Sequence, residues 1–161
     1  MLTLLFVRLP SAQAGELLLQ VNLMDELNRT LQAYVGLHDA MWREQDEQTE
    51  IRIRDVIRQV ERTRTFLSFA KPYERGHLKL ILDAAHGRLE RAQSAFGEER
   101  KGHLEEAVND LVNVVRIYRV DRAYAIYFCA RDKLSWVQKA SKAQNPFESG
   151  PLKDCGFRIR E

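Results

Sequence analysis

The chain contains few of the residues that interrupt regular structure. Its 161 residues include only 8 glycines and 4 prolines. Both residue types concentrate in turns and at helix ends, so we expect few turns and long elements. Apolar residues make up 45% of the chain and charged residues 30%, a balance that excludes a disordered chain. The length suits one domain that is large enough to bury a core.

The sequence also lacks an excess of charge of either sign and the short motifs of common catalytic sites. The formal net charge is only +2, whereas nucleic-acid-binding proteins usually carry a basic excess, so nucleic acid is not an expected partner. The G-x-S-x-G motif of serine hydrolases and the Gly-rich loops that bind phosphate are absent. The sequence therefore gives no support for an enzyme, and no cofactor is expected.

No apolar run approaches the ~20 residues that a helix needs to span a bilayer.

The first residues nevertheless resemble the second half of a secretory signal peptide, because apolar residues 2–7 precede an A-x-A pattern at Ala12 and Ala14. The segment departs from the pattern in its short apolar run, its missing basic start and Arg8. The alternative is an ordinary buried N-terminal segment. We expect a signal peptide over residues 1–14 and export to a periplasm or beyond; without export, the protein is cytoplasmic.

Cysteines are equally scarce, and the only two are Cys129 and Cys155. They are too far apart for a redox C-x-x-C pair, and two ligands alone do not make a zinc site. In an oxidising compartment they are expected to form a disulfide that ties the tail to the last helix. The alternative is two unrelated buried thiols.

Apolar residues recur at spacings of three and four in the first hundred residues, a pattern typical of amphipathic helices. The first helix is expected to begin near residues 15–21 and to end at about Glu44. An all-polar stretch over residues 44–50 predicts a tight turn before the second helix, although one long bent helix is the alternative. Pro72 separates the second helix from the third, and Gly97 is expected to end the third.

A fourth helix is expected from about Leu104 to Lys142, after a charged loop over residues 98–102. We therefore expect more than about 65% of the residues in helices and negligible strands. Short connections favour antiparallel neighbours, so the predicted fold is all-α: an up-down antiparallel four-helix bundle over residues 15–144. An irregular tail over residues 145–161 is expected to be tied back to the long last helix.

Two sets of residues have spacings compatible with metal or haem binding. Carboxylate–histidine pairs with the helical i, i+3 spacing occur twice on the third helix, but two pairs on one helix cannot face each other around one ion. A histidine and two methionines lie on the apolar stripe of the first helix, where a haem ligand would be expected. Exposed histidines on the third helix, and a structural histidine on the first, are the ordinary interpretations. These residues are Glu74, His77, Asp83 and His86 for a metal, and His38, Met41 and Met24 for haem.

Aromatic and basic residues alternate along the second half of the predicted fourth helix. Tyrosine, tryptophan and arginine dominate the energetics of protein interfaces, so this region is a candidate partner surface. The candidate residues are Arg116, Tyr118, Arg119, Tyr124, Tyr127, Arg131 and Trp136. The leading hypothesis is a non-enzymatic, exported protein that binds a protein partner or a second copy of itself. The alternative is binding of a small ligand, haem or metal in the bundle core.

Overall fold

The fold was analysed in a computed structural model that describes residues 19–159, with the backbone alone for residues 72–74. The predicted signal peptide, residues 1–14, lies outside the described residues. Within the described part the protein is mostly helical, with 64% of residues in helices. The four helices are α1 (Val21–Trp42), α2 (Asp46–Leu67), α3 (Pro72–Ser94) and α4 (Gly97–Ile117).

The boundaries of the first three helices follow the signals in the sequence. α1 and α2 are separate helices, and Glu44 between them has a positive φ of 56°, which interrupts helical geometry. Pro72 occupies the first position of α3, where its missing N–H is not needed. Gly97 has a φ of 56°, a conformation that glycine adopts without strain. The predicted loop over residues 98–102 is wrong, because α4 begins directly at Gly97.

The prediction of a long fourth helix and negligible strands is also wrong. α4 ends at Ile117, and the chain then forms β1 (Ala125–Cys129), β2 (Leu134–Gln138) and β3 (Phe157–Arg158). These strands make one antiparallel sheet in the order β2-β1-β3. Aromatic and β-branched residues favour strands, and a cluster of them lies in this segment. Lys133, with a φ of 58°, closes the turn between β1 and β2.

The helices pack mainly against their neighbours in the chain: α1 on α2, α2 on α3 and α3 on α4. The sheet joins the two ends of this series, because β2 packs against both α4 and α1. Helices and sheet share one apolar core. Large side chains that are fully buried in it include Leu27, Tyr34, Ile53, Leu82, Leu111 and Trp136.

A buried carboxylate links α1 to α2. The side chain of Glu26 is only 3% exposed and forms ion pairs with Arg29 and, at 2.8 Å, with Arg62 Nε. Gln59 Nε2 donates a hydrogen bond to Glu26 Oε2 at 3.1 Å. A carboxylate that is out of water needs such partners, so the network fixes how α1 and α2 face each other.

Replacing Glu26 with alanine is expected to lower the free energy of unfolding by about 1–3 kcal/mol, because a buried hydrogen-bonded network is lost. Urea denaturation measures the change. Asp25→Ala is the matched control, since this neighbouring carboxylate is exposed and its removal should change stability by less than about 0.5 kcal/mol. Equal losses in the two variants would contradict a stabilising role for the buried contacts of Glu26.

Candidate functional site

The C-terminal module, which we define as residues 118–159, contains eight of the sixteen candidate residues that the sequence singled out. It consists of the three strands and the long connection between β2 and β3. Four aromatic residues of the predicted partner surface are buried there: Tyr118, Tyr124, Tyr127 and Trp136. These four rings are therefore not available as exposed contacts of the candidate partner surface. Arg116, Arg119 and Arg131 are exposed, but they no longer alternate with exposed aromatic rings.

The buried aromatic residues instead hold the module together. Tyr127 and Trp136 face each other across β1 and β2, with their rings stacked at 6.1 Å between centroids. The Tyr127 hydroxyl donates to the carbonyl oxygens of Ala140 and Ser141 at 3.1 and 2.9 Å. Tyr124 reaches α1, where its hydroxyl donates to the carbonyl oxygen of Asn28 at 3.0 Å. Burial, and to a smaller extent the charge of Asp121, raise the pKa of Tyr124 to about 12.

Trp136 is the centre of the module. Its indole Nε1 donates to Gln138 Oε1 at 2.7 Å, and Gln138 Nε2 donates in turn to the carbonyl oxygens of Ala140 and Lys142. Gly156 lies directly over the ring, since a Cβ at this position would come within 2.6 Å of Trp136 Cη2. The φ of Gly156 is 144°, so both the space and the backbone at this position require glycine.

The structure joins Cys129 and Cys155 by a disulfide, as the sequence predicts. Cys129 is fully buried at the end of β1, whereas Cys155 is half-buried in the tail. Their Cα atoms are 5.5 Å apart, within the limit of roughly 7 Å for such a bond. The bond ties the tail to β1 of the sheet rather than to a helix. Of the apolar tail residues, Phe147 is buried, but Phe157 and Ile159 stay 55% and 44% exposed.

The candidate haem residues lie in the core of the helical part and at its edge. His38 is fully buried, and its Nε2 lies 2.8 Å from the carbonyl oxygen of Gln144 while Nδ1 lies 3.2 Å from Asp39 Oδ1. Both ring nitrogens are thus engaged with protein oxygens, and His38 fastens the module to α1. The hydrogen bond from His38 holds the pKa of Asp39 below its ordinary value. Met24 and Met41 are partly buried and pack against the core.

The candidate metal residues on α3 are not brought together. The structure does not describe the side chain of Glu74. His77 is exposed, and its Nδ1 lies 3.4 Å from the Tyr118 hydroxyl. Asp83 pairs with Arg64 and Lys79; burial by itself would raise the pKa of Asp83, but these two cations lower it.

His86 is 9% exposed, so the prediction that it is solvated is wrong. Its Nε2 lies 3.2 Å from Glu61 Oε1 on α2, and its Nδ1 lies 3.2 Å from Glu90 Oε2 one turn further along α3. The apolar stripe of α3 does not reveal this position, because the partner that draws His86 inward is on another helix.

One group of residues was missed by the sequence interpretation. Within residues 19–159, Cys129, Asp132 and Cys155 place one potential ligand atom each within 4.8 Å of the others. Asp132 lies in the β1–β2 turn, and its Oδ2 accepts a hydrogen bond from Asn145 Nδ2 at 3.2 Å. The C-x-x-D spacing over residues 129–132 is a local signal that could have pointed to this group.

The comparisons with known proteins give no further information on function. No protein-family model, curated protein sequence or solved structure matches this chain. Over the described range 19–159, none of the helices combines the length and apolar character that crossing a membrane requires.

Proposed function

We propose that this protein is a non-enzymatic binding protein that uses the edge of its C-terminal sheet to bind a protein partner. The observation that supports the proposal is an apolar patch at β3, formed by Phe128, Phe157 and Ile159. Phe157 and Ile159 are 55% and 44% exposed, and Phe128 beside them is half-buried. Phe128 and Phe157 are register partners, and their rings meet edge to face at 5.9 Å.

The position of the patch favours binding over a purely structural role. β3 is at the edge of the sheet order β2-β1-β3, and an edge strand presents backbone groups that a partner strand can pair with. Aromatic side chains supply a large contact area at a small entropic cost. The disulfide and the Trp136 contacts hold the tail in place, which lowers the ordering cost of binding.

The proposal includes export to a periplasm or beyond and an up-down antiparallel arrangement of the helices. A disulfide persists mainly in oxidising compartments, which supports export. The four helices have similar lengths, are joined by short turns and pack on their neighbours in the chain. These features support the up-down antiparallel arrangement.

Site-specific photocrosslinking in cells of the source organism tests the binding surface. A photoreactive residue at position 157 is expected to capture one defined partner or a second copy of the chain. The same residue at position 96 is the matched control, because Phe96 is also exposed, at 75%, but lies at the start of α4. Equal capture from the two positions would contradict the proposal.

The captured partner then allows a quantitative test with purified proteins. Phe157→Asp is expected to weaken binding at least about tenfold, because it places a charge in the centre of an apolar contact. Phe96→Asp should leave the Kd within about twofold of the unmodified protein. If Phe157→Asp binds as tightly as Phe96→Asp, the partner uses another surface and the assignment to β3 is wrong.

A further inference from the structure

The disulfide of the C-terminal module has an unusual neighbour. Oδ2 of Asp132 lies 3.3 Å from Sγ of Cys129, and the ligand atoms of Cys129, Asp132 and Cys155 are all within 4.8 Å of one another. A disulfide gains little from a carboxylate at this distance, because neither of its sulfurs carries a proton to donate. A cation bound to the two sulfurs after reduction would instead be stabilised strongly by this carboxylate. We propose that reduction of Cys129–Cys155 converts this group, which we call the Cys–Asp cluster, into a site for Zn²⁺.

The chemistry of the three ligands selects the ion. Two thiolates favour a thiophilic metal, and a carboxylate favours a harder divalent one, so the combination fits Zn²⁺ better than Cu⁺. Zinc takes four ligands in tetrahedral geometry, and the Cys–Asp cluster would leave the fourth position for water. With Zn–S distances of about 2.3 Å, tetrahedral geometry separates the two sulfurs by about 3.8 Å. The Cα atoms, at 5.5 Å, need to move little for the sulfurs to separate that far.

The surroundings of the Cys–Asp cluster also favour a cation. Asn145 Nδ2 donates to Asp132 Oδ2, the type of support that orients a metal-binding carboxylate. Glu105 on α4 adds negative charge nearby: burial, partly offset by Lys101, raises the pKa of Glu105, and the charges of Glu148, Glu98 and Asp132 raise it further. In the zinc-bound form two thiolates and the Asp132 carboxylate would carry three negative charges, of which Zn²⁺ would offset two.

The proposed conversion balances in two steps. A dithiol reductant gives two electrons to the Cys129–Cys155 bond, which breaks into two thiols while the reductant becomes a disulfide. Zn²⁺ then binds both sulfurs as thiolates and releases two protons to solvent. Reoxidation by exchange with an external disulfide, which takes up two electrons and two protons and becomes two thiols, re-forms the bond and expels the ion. The Cys–Asp cluster would thus hold either a covalent bond or a metal in the same place, and would keep the tail attached in both states.

Zinc titration of the full protein tests the proposal. The protein is reduced with a phosphine under inert gas and competes for Zn²⁺ with a chromogenic chelator. The reduced protein is expected to bind one equivalent of Zn²⁺, and the oxidised protein none at the same concentration. Asp132→Asn should weaken binding at least about tenfold. Asp154→Asn is the matched control, because Asp154 is exposed beside Cys155 and its loss removes the same charge without removing a ligand.

A second measurement distinguishes ligation from simple electrostatic attraction. Co²⁺ in place of Zn²⁺ should give sulfur-to-cobalt charge-transfer absorption in the reduced protein and none in the double variant Cys129→Ser with Cys155→Ser. Circular dichroism checks that reduction leaves the helices folded; if it does not, zinc should restore them. Three results would each overturn the assignment. The reduced protein could bind no more zinc than the double variant, the two aspartate variants could lose equal affinity, or the site could bind Cu⁺ and exclude Zn²⁺.

Discussion

Replacing Trp136 with alanine is expected to lower the free energy of unfolding by about 3–5 kcal/mol, the usual cost of truncating a fully buried large aromatic side chain. Trp136 is 0% exposed, stacks on Tyr127 and lies under Gly156, so its loss opens a cavity between the sheet and the tail. The loss also leaves Gln138 Oε1 without the indole N–H that donates to it. Urea denaturation, followed by far-ultraviolet circular dichroism, measures the change.

The effect should be specific to the module, and the controls reflect this. Phe69→Ala removes another large aromatic side chain, but Phe69 is 84% exposed, so its loss should cost less than about 0.5 kcal/mol. Trp136→Phe keeps most of the ring volume and should recover part of the stability. A loss below about 1 kcal/mol for Trp136→Ala would mean that the tail does not pack on the ring as described.

The role of Trp136 illustrates where sequence interpretation succeeds and where it fails. α1, α2 and α3 were predicted to within a few residues, because each has one apolar stripe and is bounded by a polar turn, Pro72 or Gly97. Those signals are local and depend on helical periodicity and backbone restrictions alone. Nothing in them requires knowledge of which residues meet in space.

The prediction of a helix beyond Ile117 is wrong for a physical reason. Tyr118, Ala125, Cys129 and Trp136 are spaced by seven, four and seven residues, so they also satisfy a helical stripe. In the structure Tyr127 pairs with Trp136 and Cys129 with Leu134, and alternation places them on one face of a hairpin. Eight of the ten residues of β1 and β2 are apolar and seven of the ten are buried, so the alternation with a period of two is hidden.

One part of the candidate site could also be predicted from the sequence, and another part could not. The pairing of Cys129 with Cys155 could be predicted, because two cysteines in a chain allow only one intramolecular disulfide. The proximity of Asp132 to this pair could not be predicted from the pairing alone; in the structure the turn between β1 and β2 places its Oδ2 3.3 Å from Cys129 Sγ. The exposure of Phe157 could not be predicted either, since it depends on β3 being an edge strand.

Removing the disulfide by the double change Cys129→Ala and Cys155→Ala is expected to lower the free energy of unfolding by roughly 3–4 kcal/mol, because the bond closes a loop of 26 residues in the unfolded chain. For a chain of this length the loss corresponds to a decrease in Tm of roughly 6–16 °C. α1, α2 and α3 do not touch the bond, so helical content should be retained. The tail beyond Gln138 should exchange its amide hydrogens faster, because noncovalent contacts such as those of Tyr127, Gln138 and His38 would then hold it without the covalent bond.

Reductant provides the control for that experiment. The unmodified protein should lose a similar amount of stability when it is reduced in the absence of metal, whereas the double variant should not respond to reductant at all. Both comparisons remove the same covalent bond, but reduction keeps the two sulfur atoms, so a difference between them measures the noncovalent contacts of both cysteine side chains, including that of Cys129 with Asp132. A double variant as stable as the oxidised protein would show that the noncovalent contacts of the tail, including those of Trp136, hold it without the bond. In that case the main contribution of the two cysteines would be to the chemistry of the Cys–Asp cluster and not to the stability of the fold.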